Sequence, residues 1–475
     1  MAAYLAGITL FGLRFRKRQR SLRDYFLADR NVPWWAIALS IVAAETSTLT
    51  IISIPGLAYD TNFGFLQLVL GYLVARVIIS AIFIPRYFAG NFVTAYQYLE
   101  QRFGEGLRSW TAGLFLLTRA AAEGVRVFAI SIVVGIALNL NDVAAIAVIT
   151  VLTLIYTFEG GMAAVIWTDV AQMMIYVGGT IAGLVTLIHL TPGGWSVIHS
   201  TAMAAGKLRI FDFAPTIFHA YTFWSGVIGG TFLTCASHGT DQLMVQRLLA
   251  ARNRRQSQAA LLWSGVVILF QFSLFLLVGA GLWVYYQNVP HAPFARSDKI
   301  FPQFIVQTMP HGIAGLLIAA ILAAAMSNLS AALNSLSAST MVDFHSKLRP
   351  ELGDEARVRL SRWATLAWGC VLFLLALLSR RGGRVVEVGL AIASVAYGAM
   401  LGAFALGILT RRARQGGVMV GMLCGLTLNL YLWLETKVPF TWYVAFGSAA
   451  TFAIGYIASM VMQPQQVVMG AEQSE

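Results

Sequence analysis

Charge is what this chain is short of. Only 11% of its 475 residues are charged, against 58% that are hydrophobic, and its mean hydropathy is +0.71. One soluble core cannot hide that much apolar chain, so a soluble globular protein is excluded. Cysteine is scarce as well: Cys235, Cys370 and Cys424 are an odd count, lie in apolar segments and have no metal-ligand spacing. They read as buried free thiols. There is no HExxH, no Cys/His cluster and no phosphate-cradling glycine loop, so a membrane enzyme lacks its chemistry. A pore loop or repeated filter is also missing, which argues against a channel. No soluble domain, coiled coil or low-complexity linker interrupts the chain.

What fills it instead is a succession of apolar runs near the length that crosses a bilayer, about 20 residues. Residues 2–13 (AAYLAGITLFGL) read as the inner part of a first helix, without the basic leader and small-residue cleavage site of a signal peptide. Further runs lie near 34–57, 63–88, 109–138, 143–158 and 163–190, then, after a polar connection at 191–220, near 221–246, 258–286, 312–343, 358–379, 385–410, 416–434 and 440–462. The fold class is therefore an all-α polytopic membrane protein with about 12–13 transmembrane helices. The tail 463–475 reads as disordered.

The formal charge of +12 does not point to nucleic acid, because the basic residues sit in short runs between apolar segments. Arg14–Arg23, Arg247–Arg255 and Arg411–Arg414 are examples. Placing 14–33 in the cytoplasm puts 86–108, 159–168, 247–257, 344–362 and 411–415 there too, as the positive-inside rule requires. Arg380, Arg381 and Arg384 are the exception on the other side. The expected protein is a multi-pass cell-membrane protein with its amino terminus outside and its carboxyl terminus cytoplasmic.

One run stands apart. Trp34 to Gly56 is long enough to span, yet its middle is AAETSTLT, with Glu45 and four hydroxyls at mid-depth. Such a helix can unwind there and offer carbonyls and hydroxyls to a hard cation such as sodium; alternatively its Ser and Thr bond back to their own helix. TCASHGTDQ (Thr234 to Gln242) interrupts a second run at the matching place. Segments 34–190 and 221–411 each hold five spans, so the second set is inserted upside down. Paired interrupted helices of this kind point to a transporter binding site.

Six motifs carry a resemblance: RDYFLADRNVPWW, AAETSTLTIISIPGLAY, TAYQYLEQRFG, YTFEGGMAAVIWTDVAQ, DQLMVQRLLA and AAAMSNLSAALNS. In this order, over roughly residues 20–415, the chain resembles the sodium/solute symporter family. That resemblance implies a leucine-transporter-like fold of two inverted five-helix repeats: 1–33 as a partial helix and basic loop, 34–190 and 221–411 as the repeats, 191–220 as an external connection, and 412–462 as two peripheral helices before the tail 463–475. It implies a sodium site made by the carbonyls of Ala43, Thr46 and Ala324 with the side chains of Ser327 and Asn328, the alternative being that Ser327, Asn328 and Ser330 form a helix-packing face of small polar residues. Asn328 departs from the family's usual Ser or Thr there. It also implies a second ion site at Asp169 and Ser330, with Ala331 where relatives place another hydroxyl; alternatively Asp169 caps a helix or pairs near the inner gate. Thr50, Gln67, Asp241 and Gln242 fall near positions that line the pocket of sugar-carrying relatives, although Asp241 and Gln242 belong to a motif shared by carriers of different solutes, where a structural role competes.

Arg119, Glu123 and Arg126 stand on one face of the run 109–138, spaced by four and three. Glu123 neutralises one arginine, and the other either meets a substrate carboxylate or belongs to an internal ion-pair lattice. Arg119 is the expected substrate contact. His238, one turn before Asp241, is a satisfied interior histidine or a proton-linked group. The expected function is sodium-coupled import of a small polar organic solute bearing a carboxylate, by alternating access. A neutral-sugar symporter and a transporter-like solute sensor are the alternatives, the sensor lacking its signalling domain. The expected partners are the solute, sodium and the lipid bilayer, without nucleic acid or an obligate protein partner.

Overall fold

The computed structural model describes residues 31–90, 95–156, 162–289, 293–340, 354–380 and 384–462. The partial first helix, its basic loop and the tail 463–475 lie outside the described residues. Within a bilayer each backbone amide must find its partner inside its own segment, and helices do this without an open edge. The described residues accordingly form helices and turns, with one isolated bridge between Val32 and Ala251.

The first half runs α1 (Trp34–Glu45), α2 (Thr48–Asp60), α3 (Leu66–Ala89), α4 (Ala95–Phe103), α5 (Glu105–Leu138), α6 (Asp142–Tyr156), α7 (Met162–Leu190) and α8 (Gly194–Ala204). The second runs α9 (Gly230–Gly239), α10 (Gln242–Leu249), α11 (Arg254–Asn288), α12 (Ile300–Gln307), α13 (His311–Ser339), α14 (Asp354–Ser379), α15 (Val385–Leu409), α16 (Gln415–Glu435) and α17 (Tyr443–Val461). Six stretches, Phe63–Ala89, Ile166–Leu190, α11, α15, α16 and Phe440–Val461, are each long and apolar enough to cross a membrane. The α1–α2 pair, bent by 63°, makes a seventh. The 34-residue α5 carries three charges in its middle, which its apolar stretches flank.

Both interruptions read from the sequence are breaks in the fold: α1 stops at Glu45 and α2 starts at Thr48, while α9 stops at Gly239 and α10 starts at Gln242. The broken pairs pack with α3 and α11 into the heart of the molecule. Around it lie α5, α6, α7, α13 and α14, and α15 joins this group to α16 and α17. Glycine sets the closest approach. A methyl group on Gly71 of α3 would lie 2.6 Å from the Val227 carbonyl oxygen, so α3 and the entry to α9 meet backbone to backbone. On α11, Gly279 does the same against the Pro55 carbonyl.

Candidate functional site

At the first break the backbone hydrogen bonds change partners. The Ser47 amide bonds the Glu45 carbonyl rather than that of Ala43, and the Thr50 amide bonds Ser47 rather than Thr46. The carbonyls of Ala43 and Thr46 therefore lose the amides that a continuous helix would give them. Thr46, at φ −86°, ψ 75°, also has a buried Oγ1 without a hydrogen-bond partner. Freed carbonyls are the ligand type a hard cation takes. Across from them, α13 packs on α7 and touches α2. Ala324, Ser327 and Ser330 lie in α13, and their side chains are outside the described residues, as is that of Thr48; Asn328 is half-buried.

Beside the break opens a cavity of about 160 Å³, walled by both breaks and by α3, α5, α11 and α15. A water needs roughly 10–15 Å³ of such space, so a small organic solute fits. Glu45 reaches it from the break and is not a bare charge. Arg76 of α3, 1% exposed, pairs with Glu45 Oε2, and His238 Nε2 stands 3.5 Å from the same oxygen. Arg76 is itself held by Ser264 Oγ at 3.1 Å and the Tyr72 carbonyl at 3.2 Å. Sequence reasoning missed this partner, although an arginine amid the apolar run of α3 was a signal that some carboxylate must meet it.

On the α5 wall, Glu123 Oε1 takes Arg119 Nη2 at 3.0 Å and also Arg126 Nη1. Glu123 is wholly buried, while Arg119 and Arg126 are 11% and 26% exposed and both line the cavity. The sequence left the second arginine to a substrate carboxylate or to an internal ion-pair lattice, and α10's cap places a further acidic residue near Arg119. Asp241 is an electrostatic neighbour of Arg119, and its two oxygens accept from the Leu243 amide at 2.8 Å and the Tyr397 hydroxyl at 2.9 Å. Arg76, Arg119 and Arg126 thus stand against Glu45, Glu123 and Asp241, and the charges cancel. The Nε atoms of Arg119 and Arg126 are nevertheless buried without a hydrogen-bond partner.

Thr50 lines the cavity with its Oγ1 3.4 Å from the Glu45 carbonyl. Gln67 and Gln242 do not line it. Gln67 is wholly buried, donates to the Tyr221 and Gly64 carbonyls at 2.7 and 3.2 Å, and accepts from the Asp212 amide at 3.0 Å. Gln242 accepts from the Ala95 amide at 2.7 Å, tying α10 to α4. Asp169 is buried in a knot whose partners the sequence did not reveal: Ser40 donates to it at 2.7 Å and Arg247 at 3.0 Å, while Arg247 Nε bonds Ser40 at 3.1 Å. This knot joins α7, α1 and α10.

The chain's relatives agree with this architecture. The sodium/sialic acid symporter SiaT of Proteus mirabilis is 29% identical over 474 residues, covering 97% of this chain and 94% of its own. The human sodium/iodide cotransporter is 28% identical over 433 residues, or 90% of this chain and 67% of its own. A sodium-coupled sialic acid symporter solved in a substrate-bound, outward-open state superposes with a TM-score of 0.84 at 29% identity over 97% of both chains. The fold is also that of Mhp1, a nucleobase-cation symporter matched at TM-score 0.59 and 12% identity over 92% of this chain and 93% of its own. This is the leucine-transporter-like fold, and the relatives are sodium-coupled transporters, not enzymes. The family model for sodium:solute symporters matches residues 25–425. The chain belongs to the sodium:solute symporter family and is a sodium-coupled membrane symporter.

Proposed function

We propose that this symporter imports a small polar organic solute bearing a carboxylate, by alternating access, with the solute held in the cavity at the breaks. The observation that carries this is the pair of cavity-lining arginines, Arg119 and Arg126, each keeping N–H donors free after Glu123 is bonded. A guanidinium fork suits a planar carboxylate. The lining network sums to zero, so an anionic solute arrives with its charge balanced by the sodium that travels with it. Relatives named as sialic acid and monocarboxylate transporters favour the same chemistry.

In this reading sodium sits among the carbonyls of Ala43, Thr46 and Ala324 and the side chains of Ser327 and Asn328. It stiffens the break and so orders Thr50 and Glu45 for the solute, a positive coupling of typically about 1–3 kcal/mol. The inward sodium gradient drives the cycle. The amino terminus faces out, the carboxyl terminus faces the cytoplasm, and the Asp169–Arg247–Ser40 knot closes the inner side. A second ion at Asp169 and Ser330 requires Arg247 to let go of its carboxylate first.

Proteoliposomes with an inward sodium gradient test this with N-acetylneuraminate, lactate, proline and glucose. Sodium-driven accumulation of at least one acid, lost in choline, is expected. Accumulation of glucose alone would move the protein to the neutral-sugar alternative. Saturable binding without accumulation of any of the four would favour the sensor.

A further inference from the structure

We propose that Glu45 and His238 form a second solute-binding pole, which takes a hydroxyl group of the solute at the end opposite its carboxylate. This rests on the reading that the cavity holds the solute. The two cavity-facing carboxylates are not equivalent. Asp241 has both oxygens committed, one to its helix cap and one to Tyr397. Glu45 directs a single oxygen, Oε2, at Arg76 and His238, and none of the hydrogen bonds among the described residues uses Oε1. A carboxylate has about four acceptor positions, so Glu45 retains capacity on the cavity side. His238 is 2% exposed, lines the cavity, is held by Ser237 Oγ at Nδ1 (2.8 Å), and its Nε2 makes no close hydrogen bond, with Glu45 Oε2 standing 3.5 Å away. A buried nitrogen without a partner is costly, and a bound hydroxyl, both donor and acceptor, can serve Glu45 and His238 together.

The pole is separate from the arginines. The electrostatic neighbours of Glu45 are Arg76 and His238, whereas those of Arg119 are Glu123, Asp241, Tyr397 and Tyr96. One wall of the cavity therefore offers donors and the other an acceptor. Arg76 already pairs with Glu45, so this pole offers an acceptor without a free negative charge for an ammonium to meet. A hydroxyl needs none. The geometry selects hydroxy acids and sugar acids over plain carboxylic acids and over amino acids.

Thermal protection of the purified full-length protein in saturating sodium chloride reads this from matched compounds: lactate, propionate, alanine, and the amides lactamide and propionamide. Lactate is expected to protect at concentrations tenfold or more below propionate, since a hydrogen bond to a charged acceptor has that worth. Glu45→Gln alone strands Arg76 and can fail to fold, so the pair is removed together as Glu45→Gln/Arg76→Met. In that variant, and separately in His238→Phe, the lactate preference is expected to shrink to within threefold. Equal protection by lactate and propionate in the wild type overturns the pole, and so does a preference for alanine over lactate. An unchanged lactate preference in both variants overturns it too. If propionate and lactate do no better than their amides, the carboxylate reading fails, yet lactamide outperforming propionamide still upholds the hydroxyl pole. Protection by none of the five sinks both.

Discussion

Arg76, buried in the middle of α3, pairs with Glu45 at the break between α1 and α2, and so ties the broken helix to the unbroken one beside it. Without that guanidinium the break would carry a carboxylate into the membrane interior uncompensated. The break, its freed carbonyls and the cavity wall all depend on this pair.

Removing one partner should therefore cost far more than removing both. Arg76→Met leaves Glu45 buried and unpaired, a loss of about 3–5 kcal/mol. Glu45→Gln/Arg76→Met should recover most of it, because two apolar or neutral groups of similar size replace the pair. Melting temperatures of the two variants in detergent decide this, and a double variant no more stable than Arg76→Met would show that the pair is not what the break rests on.

The same arithmetic applies at the knot of Asp169, Arg247 and Ser40. Arg247→Ala strands Asp169 and frees Ser40, whereas Arg247→Ala/Asp169→Ala strands neither. We expect the single variant to expose a cysteine introduced at Ser40 to a cytoplasmic-side thiol reagent at least tenfold faster than the parent protein carrying that cysteine. Equal labelling rates would mean the knot does not close that side.

How much of this was legible beforehand follows a physical divide. Both breaks were visible because polar residues at mid-span, AAETSTLT and TCASHGTDQ, are a local signal and the membrane makes them conspicuous. The partners were not. Glu45 meets a residue 31 positions away and Asp169 one 78 positions away, and no periodicity encodes such pairings. Gln67 and Gln242 illustrate the converse. The resemblance set both near pocket-lining positions, yet here each has its oxygen bonded to a neighbouring segment's backbone amide, and the Gln67 amide group bonds carbonyls as well.

A third prediction concerns the middle of α2. Asp298, buried in the short turn Ser297–Lys299, accepts from Ser53 Oγ at 2.5 Å and from the Val385 amide at 3.3 Å, joining α2 to the start of α15. Burial pushes its carboxyl above the ordinary range, only partly offset by Ser53. An acid with a raised folded value favours folding in its protonated form, so its contribution is full below the ordinary pKa of about 4 and is lost as pH rises through the raised one. Asp298→Asn should remove that pH dependence. The difference in melting temperature between wild type and Asp298→Asn should shift in favour of the variant from acid to neutral pH, and a pH-independent difference would contradict it.

Sodium binding offers a fourth. Ser327→Ala deletes a proposed side-chain ligand and should raise the sodium concentration for half-maximal uptake at least tenfold. Asn328→Ser should retain sodium-driven uptake, since a hydroxyl can replace the amide oxygen, while Asn328→Leu should abolish it. Normal sodium activation in the Leu variant would place the ion elsewhere.

The last prediction separates the two arginines. Glu123 Oε1 receives one N–H from each, but their surroundings differ. Arg119 is 11% exposed and has Asp241 as a second acidic neighbour, so much of its charge is already answered within the protein. Arg126 is 26% exposed and lines the same cavity, with Glu123 as its paired carboxylate. Arg119, the sequence-based choice, therefore divides its charge between two acidic neighbours and the solute, and Arg126 has more of its fork to offer. Arg126→Lys should raise the apparent KM for a transported acid by roughly tenfold with little change in melting temperature, since a point charge replaces a planar fork. Arg119→Lys should also raise KM, but with a loss of stability, because Arg119 pairs with the wholly buried Glu123 and has Asp241 as a second acidic neighbour. Uptake of N-acetylneuraminate or lactate, whichever accumulates, measures the KM. A neutral sugar carried equally well by the wild type and by Arg119→Gln/Arg126→Gln would sink the carboxylate reading and leave the sodium symporter intact.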